Sequence, residues 1–504
     1  MDYLISGFGN VLNVSTLLWV FIGVTLGYVL GAIPGLGKAT GVAVSIPLTF
    51  YLPPISAIAM LIGIAKGSAA GSAVSAILLN TPGEPSSAPT ALDGYPLARQ
   101  GKAQKALKMG LFASVCGDFI STLILISLAA PLASYALLIG PVELCAILLF
   151  SLTFIGGLSG TSLVKGVIAG AFGVFLATVG IEIETFVPRL TFGLLELDEG
   201  ISLIPMAIGM LALAEMIVQA SNMRALDQEA AALRDGGHPD DQRVTRDEWL
   251  RCLPVIGRGS LIGSVVGILP GLGASVGSFM SYSATVRLSK NPGSYGTGRI
   301  EGVAAAESAD NAVVPASLIP LFALGIPGSV IAAILISALI MHGLTPGPLM
   351  FKQQPQLVGD LYASLLCASV ILLVVGYTGQ KLFAQVVRVP LRRVVPVVIF
   401  LCCVGAYMET SSLFSIYLML FFTVLGYVMR KLDYSFITFL IGFVIGPNLE
   451  LTFRQSIQLL DGKVSRLTEH PIAVVFALMT LATVAVIGWA QRPKPAAEPL
   501  PTSR

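Results

Sequence analysis

Four short runs place glycine and proline inside otherwise apolar stretches: Gly31-Ala32-Ile33-Pro34-Gly35-Leu36-Gly37, Asn80-Thr81-Pro82-Gly83-Glu84-Pro85-Ser86-Ser87, Gly267-Ile268-Leu269-Pro270-Gly271-Leu272-Gly273 and Leu324-Gly325-Ile326-Pro327-Gly328-Ser329. Proline removes a backbone donor and clashes with the preceding turn, and glycine lets the chain reverse without a Cβ. Each run therefore breaks a helix, and the half-helix after it presents free N–H groups suited to an anion. A carboxylate fits that chemistry, and unwound carbonyls beside it suit Na⁺. Packing kinks are the plain alternative for any one run; four runs in two matched pairs favour a site.

Ionisable side chains inside apolar runs form a second group. Glu307 and Asp310, in Glu307-Ser308-Ala309-Asp310-Asn311, stand at i and i+3 and so share a helical face. Lys38 follows the first break, and Lys66 lies in the apolar stretch 56–79. Charges at membrane depth are costly and usually mark an ion or substrate path. The alternatives are a fixed buried pair for Glu307 and Asp310, snorkelling to an interface for Lys38, and a structural ion pair for Lys66. Asp118 and Glu143 read as structural or interfacial. The candidate substrate-binding residues are thus Gly35, Gly37, Lys38, Lys66, Asn80, Thr81, Pro82, Gly83, Ser86, Gly271, Gly273, Gly325, Pro327, Gly328 and Ser329. Asn80, Glu307, Ser308, Asp310 and Asn311 are the candidates for ion coupling, with no metal expected beyond Na⁺. The acidic pair serves Na⁺ or H⁺; Asn80, Asn311 and the carbonyls lean towards Na⁺.

The elements that must position these groups are membrane helices. Of the 504 residues, 55% are hydrophobic and only 12% charged, about half the charge a soluble domain carries. The mean hydropathy is +0.84, and apolar stretches recur that are long enough for a ~30 Å hydrocarbon core. A net charge of +2 argues neither for a nucleic-acid partner nor for an acidic one, and no nucleic-acid partner is expected. The first apolar run lacks the basic start of a cleavable signal and continues into the fold. Six cysteines sit mostly in apolar runs without metal spacing and read as small buried hydrophobes. The expected class is an all-α polytopic membrane protein with about 12 to 15 hydrophobic passes, some broken or re-entrant.

The chain also repeats itself. Gly23, Gly27, Gly31, Pro34, Gly35, Leu36, Gly37 and Gly41 recur without a gap as Gly259, Gly263, Gly267, Pro270, Gly271, Leu272, Gly273 and Gly277. Asn80-Thr81-Pro82-Gly83 then meets Gly325-Ile326-Pro327-Gly328. Each basic loop faces a charge-poor counterpart: Arg99, Lys102, Lys105 and Lys108 face a loop with only Lys352, while the charge-poor turn near Tyr51 faces Arg287, Lys290 and Arg299. Lys and Arg prefer the cytoplasmic side of short loops, so the two copies are expected to be inverted. The expected segments are a first repeat at 1–219, a cytoplasmic linker at 220–254, a second repeat at 255–450, and a final helix with a basic tail at 451–504. Arg454, Lys463 and Arg466 disturb that topology, since 451–470 would lie outside.

At these positions the chain resembles the large membrane subunit, the TctA-type permease, of the tripartite tricarboxylate transporters. The likeness covers nearly the whole length. It rests on the four breaks, on Ala76 to Gly83, and on Asp93-Gly94-Tyr95-Pro96, Glu301-Gly302-Val303-Ala304-Ala305 and His342-Gly343-Leu344-Thr345-Pro346-Gly347-Pro348. It implies a multi-pass protein of the bacterial inner membrane, embedded in lipid. It also implies a small TctB-type membrane subunit and a periplasmic TctC-type solute-binding protein as partners. The implied activity is uptake of a tricarboxylate or other carboxylate, driven by an ion gradient without a cofactor. Three positions depart from the family: Ala65-Lys66 where aromatic residues are usual, Asp310 where a second Asn is usual, and Lys38 where Pro or a small residue is common. Lys66 or Lys38 is therefore expected to offset Asp310 or to meet a substrate carboxylate. An intramembrane enzyme would need a nucleophile with its base, and only His238, His342 and His470 are present, in a linker, a loop and a helix start. An anion channel would show pore-lining rings. Neither is supported.

Overall fold

Backbone polar groups in lipid must be satisfied within the segment, so long apolar runs become helices. The computed structural model describes residues 2–158, 162–182, 185–221, 241–386, 389 and 391–490. The first half consists of α1 (Asp2–Val11), α2 (Val14–Ala32), α3 (Lys38–Ser45), α4 (Pro54–Leu79), α5 (Ala88–Leu97), α6 (Ala103–Ala136), α7 (Pro141–Leu158), α8 (Leu163–Leu176), α9 (Leu203–Ala207) and α10 (Ala214–Ser221). The second consists of α11 (Arg246–Ile268), α12 (Gly273–Leu288), α13 (Ile300–Ala316), α14 (Leu318–Leu324), α15 (Val330–Met341), α16 (Met350–Gln353), α17 (Pro355–Val386), α18 (Leu391–Thr410), α19 (Leu413–Lys431) and α20 (Phe436–Leu459); α21 (Pro471–Ala490) follows. The strands among the described residues are one short hairpin, Gly180–Ile181 paired with Pro188–Arg189. Nine helices among the described residues are long and apolar enough to cross a membrane, and four shorter apolar ones accompany them.

Matched glycines do matched work in the two halves. On α2, a Cβ at Gly23, Gly27 or Gly31 would come within 2.2–2.3 Å of the carbonyls of Met60, Ile64 and Ser68 on α4. On α11, a Cβ at Gly259, Gly263 or Gly267 would come within 2.1–2.6 Å of the Ser308 hydroxyl, the Ala309 carbonyl and the Ala316 methyl group of α13. Without a hydrophobic drive between helices in lipid, such backbone contact supplies the association. A Gly27→Val substitution must push α2 from α4, since the obstacle is backbone rather than a movable side chain. It is expected to lower the melting temperature of the purified protein by several degrees, whereas Gly9→Ala, with open space around it, is expected to leave it unchanged.

The breaks are matched too. Gly35 (φ +83°) and Gly271 (φ +86°) take the same left-handed conformation after α2 and α11. Asn80 and Gly325 are the left-handed C-caps of α4 and α14. The halves also interlock: α6 packs on α13, with Gly117 against the Ser308 carbonyl, and α17 packs on α4.

Two helices cross the limits of the expected segments. Helix α11 begins at Arg246, within the expected linker, because Thr245 and Glu248 form a capping box there. Arg224 and Arg234 of the expected linker lie outside the described residues. Helix α20 runs past 450 to Leu459, and two of the three disturbing basic residues are paired: Arg454 with Glu450 (2.8 Å) and Glu182, and Arg466 with Asp461.

Asp93 explains two of the family-like motifs at once. Its Oδ1 accepts from the backbone N–H groups of Gly296 (2.9 Å), Gly298 (2.9 Å) and Arg299 (2.8 Å), and its Oδ2 from the Tyr282 hydroxyl (2.9 Å). Arg299 is the N-cap of α13, so Asp93 both folds the loop and faces the positive end of that helix. Gly302 must lack a side chain because a Cβ would meet Asp93 Oδ2 at 2.1 Å.

Candidate functional site

All four breaks border one cavity of ≈ 660 Å³. Its wall includes Pro34, Gly35, Gly37 and Lys38 from the first break, and Thr81, Pro82, Gly83, Glu84 and Ser86 from the second. Gly273 and Ser275 at the start of α12, and Ser329 at the start of α15, close the far side. The N-termini of α3, α12 and α15 therefore reach the same space, where free N–H groups and the helix dipoles favour negative charge.

Lys38 is the hub. It is 3% exposed, and its ammonium donates to Asp310 Oδ1 at 2.5 Å and to Ser86 Oγ at 3.3 Å, and lies 3.3 Å from Glu84 Oε2. Its backbone N–H donates to Glu84 Oε1 in a short hydrogen bond. One residue thus ties the first break to the second and to α13 of the other half. Glu84 itself caps α3 with a carboxylate, because Gly37 offers no side chain for the purpose. Deeper still, Glu307 Oε1 accepts from Thr90 (2.5 Å) and Oε2 from Ser114 (2.9 Å), and Asn311 donates to Ser114 (2.8 Å) and to the Glu307 carbonyl (3.0 Å). Ser308 faces α11 and α6 as a packing position, with its hydroxyl directed at the Ala305 carbonyl.

A second cation stands across the cavity. Arg430 of α19 pairs closely with Glu215 of α10, donates to the Met210 carbonyl at 3.4 Å, and holds its guanidinium 4.6 Å from the Phe436 ring centroid. Gln219 donates to Glu215 at 2.8 Å. Arg430, Glu215, Gln219 and Glu84 were not among the sequence candidates. Arg430 reads in sequence as a loop charge, and Glu215 and Gln219 carry no spacing signal; Glu84 lay within the second break and was the one that could have been found.

Several sequence candidates lie outside the cavity wall. Asn80 is exposed at the C-cap of α4, where its left-handed backbone explains its presence. Gly271, Gly325, Pro327 and Gly328 shape the breaks from behind; the Gly271 N–H donates to the Gly328 carbonyl at 3.3 Å, so the third and fourth breaks touch. Lys66 is elsewhere altogether. It donates to Asp118 (2.8 Å), Thr122 (3.2 Å), Ser369 (2.9 Å) and the Leu365 carbonyl (2.8 Å), joining α4, α6 and α17. Of the two lysines, Lys38 is the one that offsets Asp310. Glu143 pairs with His470 at 2.7 Å.

The model of the tripartite tricarboxylate transporter TctA family matches residues 17–441. The chain belongs to this family. As a TctA-family protein it is a multi-pass membrane component of a tripartite tricarboxylate transporter, and the family is one of transporters rather than enzymes. It is also similar to an uncharacterised 52.8 kDa protein in the TAR-I ttuC′ 3′ region of Agrobacterium vitis, 35% identical over 480 residues that cover 95% of this chain and 94% of the other. A second uncharacterised protein, from the TAR-II ttuC′ 3′ region of the same organism, is 36% identical over 225 residues, 45% of this chain and 92% of the other. No solved structure matches.

Proposed function

We propose that this TctA-family chain carries a tricarboxylate or other carboxylate anion across the bacterial inner membrane by secondary active transport. A TctC-type periplasmic protein delivers the substrate, and a TctB-type small subunit completes the assembly. The observation that carries the reading is the meeting of four helix breaks, Lys38 and Arg430 around one cavity. The two halves act as inverted copies, an arrangement in which substrate and ion sites lie near the midplane between repeats.

The charge balance supports ion coupling. Lys38 and Arg430 are already answered by Glu84 and Glu215, with Asp310 and Glu307 behind them. An entering carboxylate must then displace a resident carboxylate or arrive with cations, Na⁺ or H⁺, because uncompensated charge in a dry site is expensive.

The test is reconstitution with both partner subunits in proteoliposomes, with a Na⁺ or a pH gradient imposed separately. Accumulation of labelled carboxylate under one gradient, together with counterflow exchange, is the expected result. Conductive flux without counterflow would instead indicate a channel and overturn the proposal. Within this reading, Arg430→Gln is expected to raise KM about tenfold or more, equivalent to ~1.4 kcal/mol of binding, while the protein remains folded on size-exclusion chromatography.

A further inference from the structure

The ammonium of Lys38 sits among three side-chain oxygens. Hard cations take oxygen ligands, and three oxygens converge here: Asp310 Oδ1 at 2.5 Å, and Ser86 Oγ and Glu84 Oε2 each at 3.3 Å. A lysine ammonium has three donors and no acceptor, so it satisfies that set without any diffusible ion. Asp310 is fully buried, and its second oxygen has no hydrogen-bond partner. Lys38, Glu84 and Ser86 all border the cavity, so a solute entering it reaches the position. Lys66 shows the contrast, since its ammonium meets one carboxylate and does not border the cavity.

We propose that Lys38 is a tethered cation: its ammonium fills an oxygen-lined monovalent-cation position formed by Asp310, Glu84 and Ser86, so that Na⁺ does not bind there in this chain. Removal of the side chain opens that position to Na⁺ or methylammonium. The inference rests on the proposed function only in taking the cavity as open to solutes; any Na⁺ coupling of transport must then act through a different set of groups.

The experiment reads binding rather than uptake. The purified full-length protein is melted in choline chloride and in NaCl or methylammonium chloride at equal ionic strength. Any response of the wild-type melting temperature to Na⁺ or methylammonium is expected to be independent of Asp310, unchanged in Asp310→Asn. Lys38→Ala is expected to melt lower in choline and to recover by several degrees, saturably, in Na⁺ or methylammonium, because a ligand that binds only the folded state stabilises it. That recovery is expected to vanish in Lys38→Ala/Asp310→Asn. Lys38→Ser, which keeps the space and adds a hydroxyl, carries the same expectation if the alanine variant does not fold. A flat Na⁺ response in a folded Lys38 variant overturns the proposal, as does saturable Na⁺ stabilisation of the wild type that Asp310→Asn abolishes. Failure of uptake in proteoliposomes with the Na⁺ response intact would reject the proposed function alone.

Discussion

Lys66→Ala is expected to destabilise the protein by about 3–5 kcal/mol, the cost of breaking a buried ion pair and leaving one charge uncompensated. Asp118 would be the stranded partner, and the Lys66 and Asp118 side chains are 0% and 2% exposed. The contact also joins three helices of two halves, because Lys66 lies on α4, Asp118 on α6 and Ser369 on α17. Replacing both charges by Lys66→Met/Asp118→Leu is expected to recover most of the loss, since well-packed apolar pairs of similar volume are often neutral or stabilising. The hydroxyls left behind keep partners: Thr122 already donates to the Asp118 carbonyl at 2.8 Å and Ser369 to the Leu365 carbonyl at 3.0 Å. A double-mutant cycle on melting temperature separates this from simple loss of packing. Substrate affinity of the folded Lys66→Ala fraction is expected to equal that of the wild type. A raised KM at normal fold would instead return Lys66 to the substrate path.

Asp93→Ala is expected to cost roughly 3 kcal/mol or more. A hydrogen bond to a charged group contributes about 1.5–3 kcal/mol, and this carboxylate accepts four, three of them from backbone N–H groups of the 296–299 loop. Exposed Gly296 regains water on the loss, which keeps the total below the sum of the four. Asp93→Asn retains an acceptor for the loop but loses the charge facing the start of α13, and about half the penalty is expected. Protection of the Gly298 and Arg299 amides in hydrogen exchange reads the effect directly. Unchanged protection in a folded Asp93→Ala variant would show that the loop holds itself.

Both effects concern contacts between residues far apart in the chain, and this marks the limit of sequence reading here. The breaks were legible because proline and glycine act locally: each disrupts a helix wherever it stands in one. Gly35 and Gly271, or Asn80 and Gly325, adopt the expected irregular backbone for that reason. The glycine register of α2 and α11 was legible as well, since close helix approach demands small residues at a fixed spacing. The polar first turns of α11, including Arg246 and Arg251, resemble linker in composition, and the capping box of Thr245 and Glu248 is the local signal that marks the helix start. Asn80 lies away from the cavity wall. Its side-chain chemistry suits ion binding, but its position at a left-handed helix end accounts for it more simply.

By itself, then, the sequence determined a helical membrane protein of the TctA family with four breaks in two matched pairs, because hydropathy, helix breaking and glycine spacing are properties of short segments. Only the tertiary structure decided which cation met which carboxylate. Lys38 and Lys66 are both buried lysines of the first half, yet one joins Asp310 at the cavity and the other joins Asp118 between three helices. That choice depends on how α13 and α17 of the second half pack against the first, and no local pattern encodes a distance across such an interface. Arg430 and Glu215 reached the cavity wall for the same reason: their helices are remote in sequence from the breaks and adjacent to them only after folding.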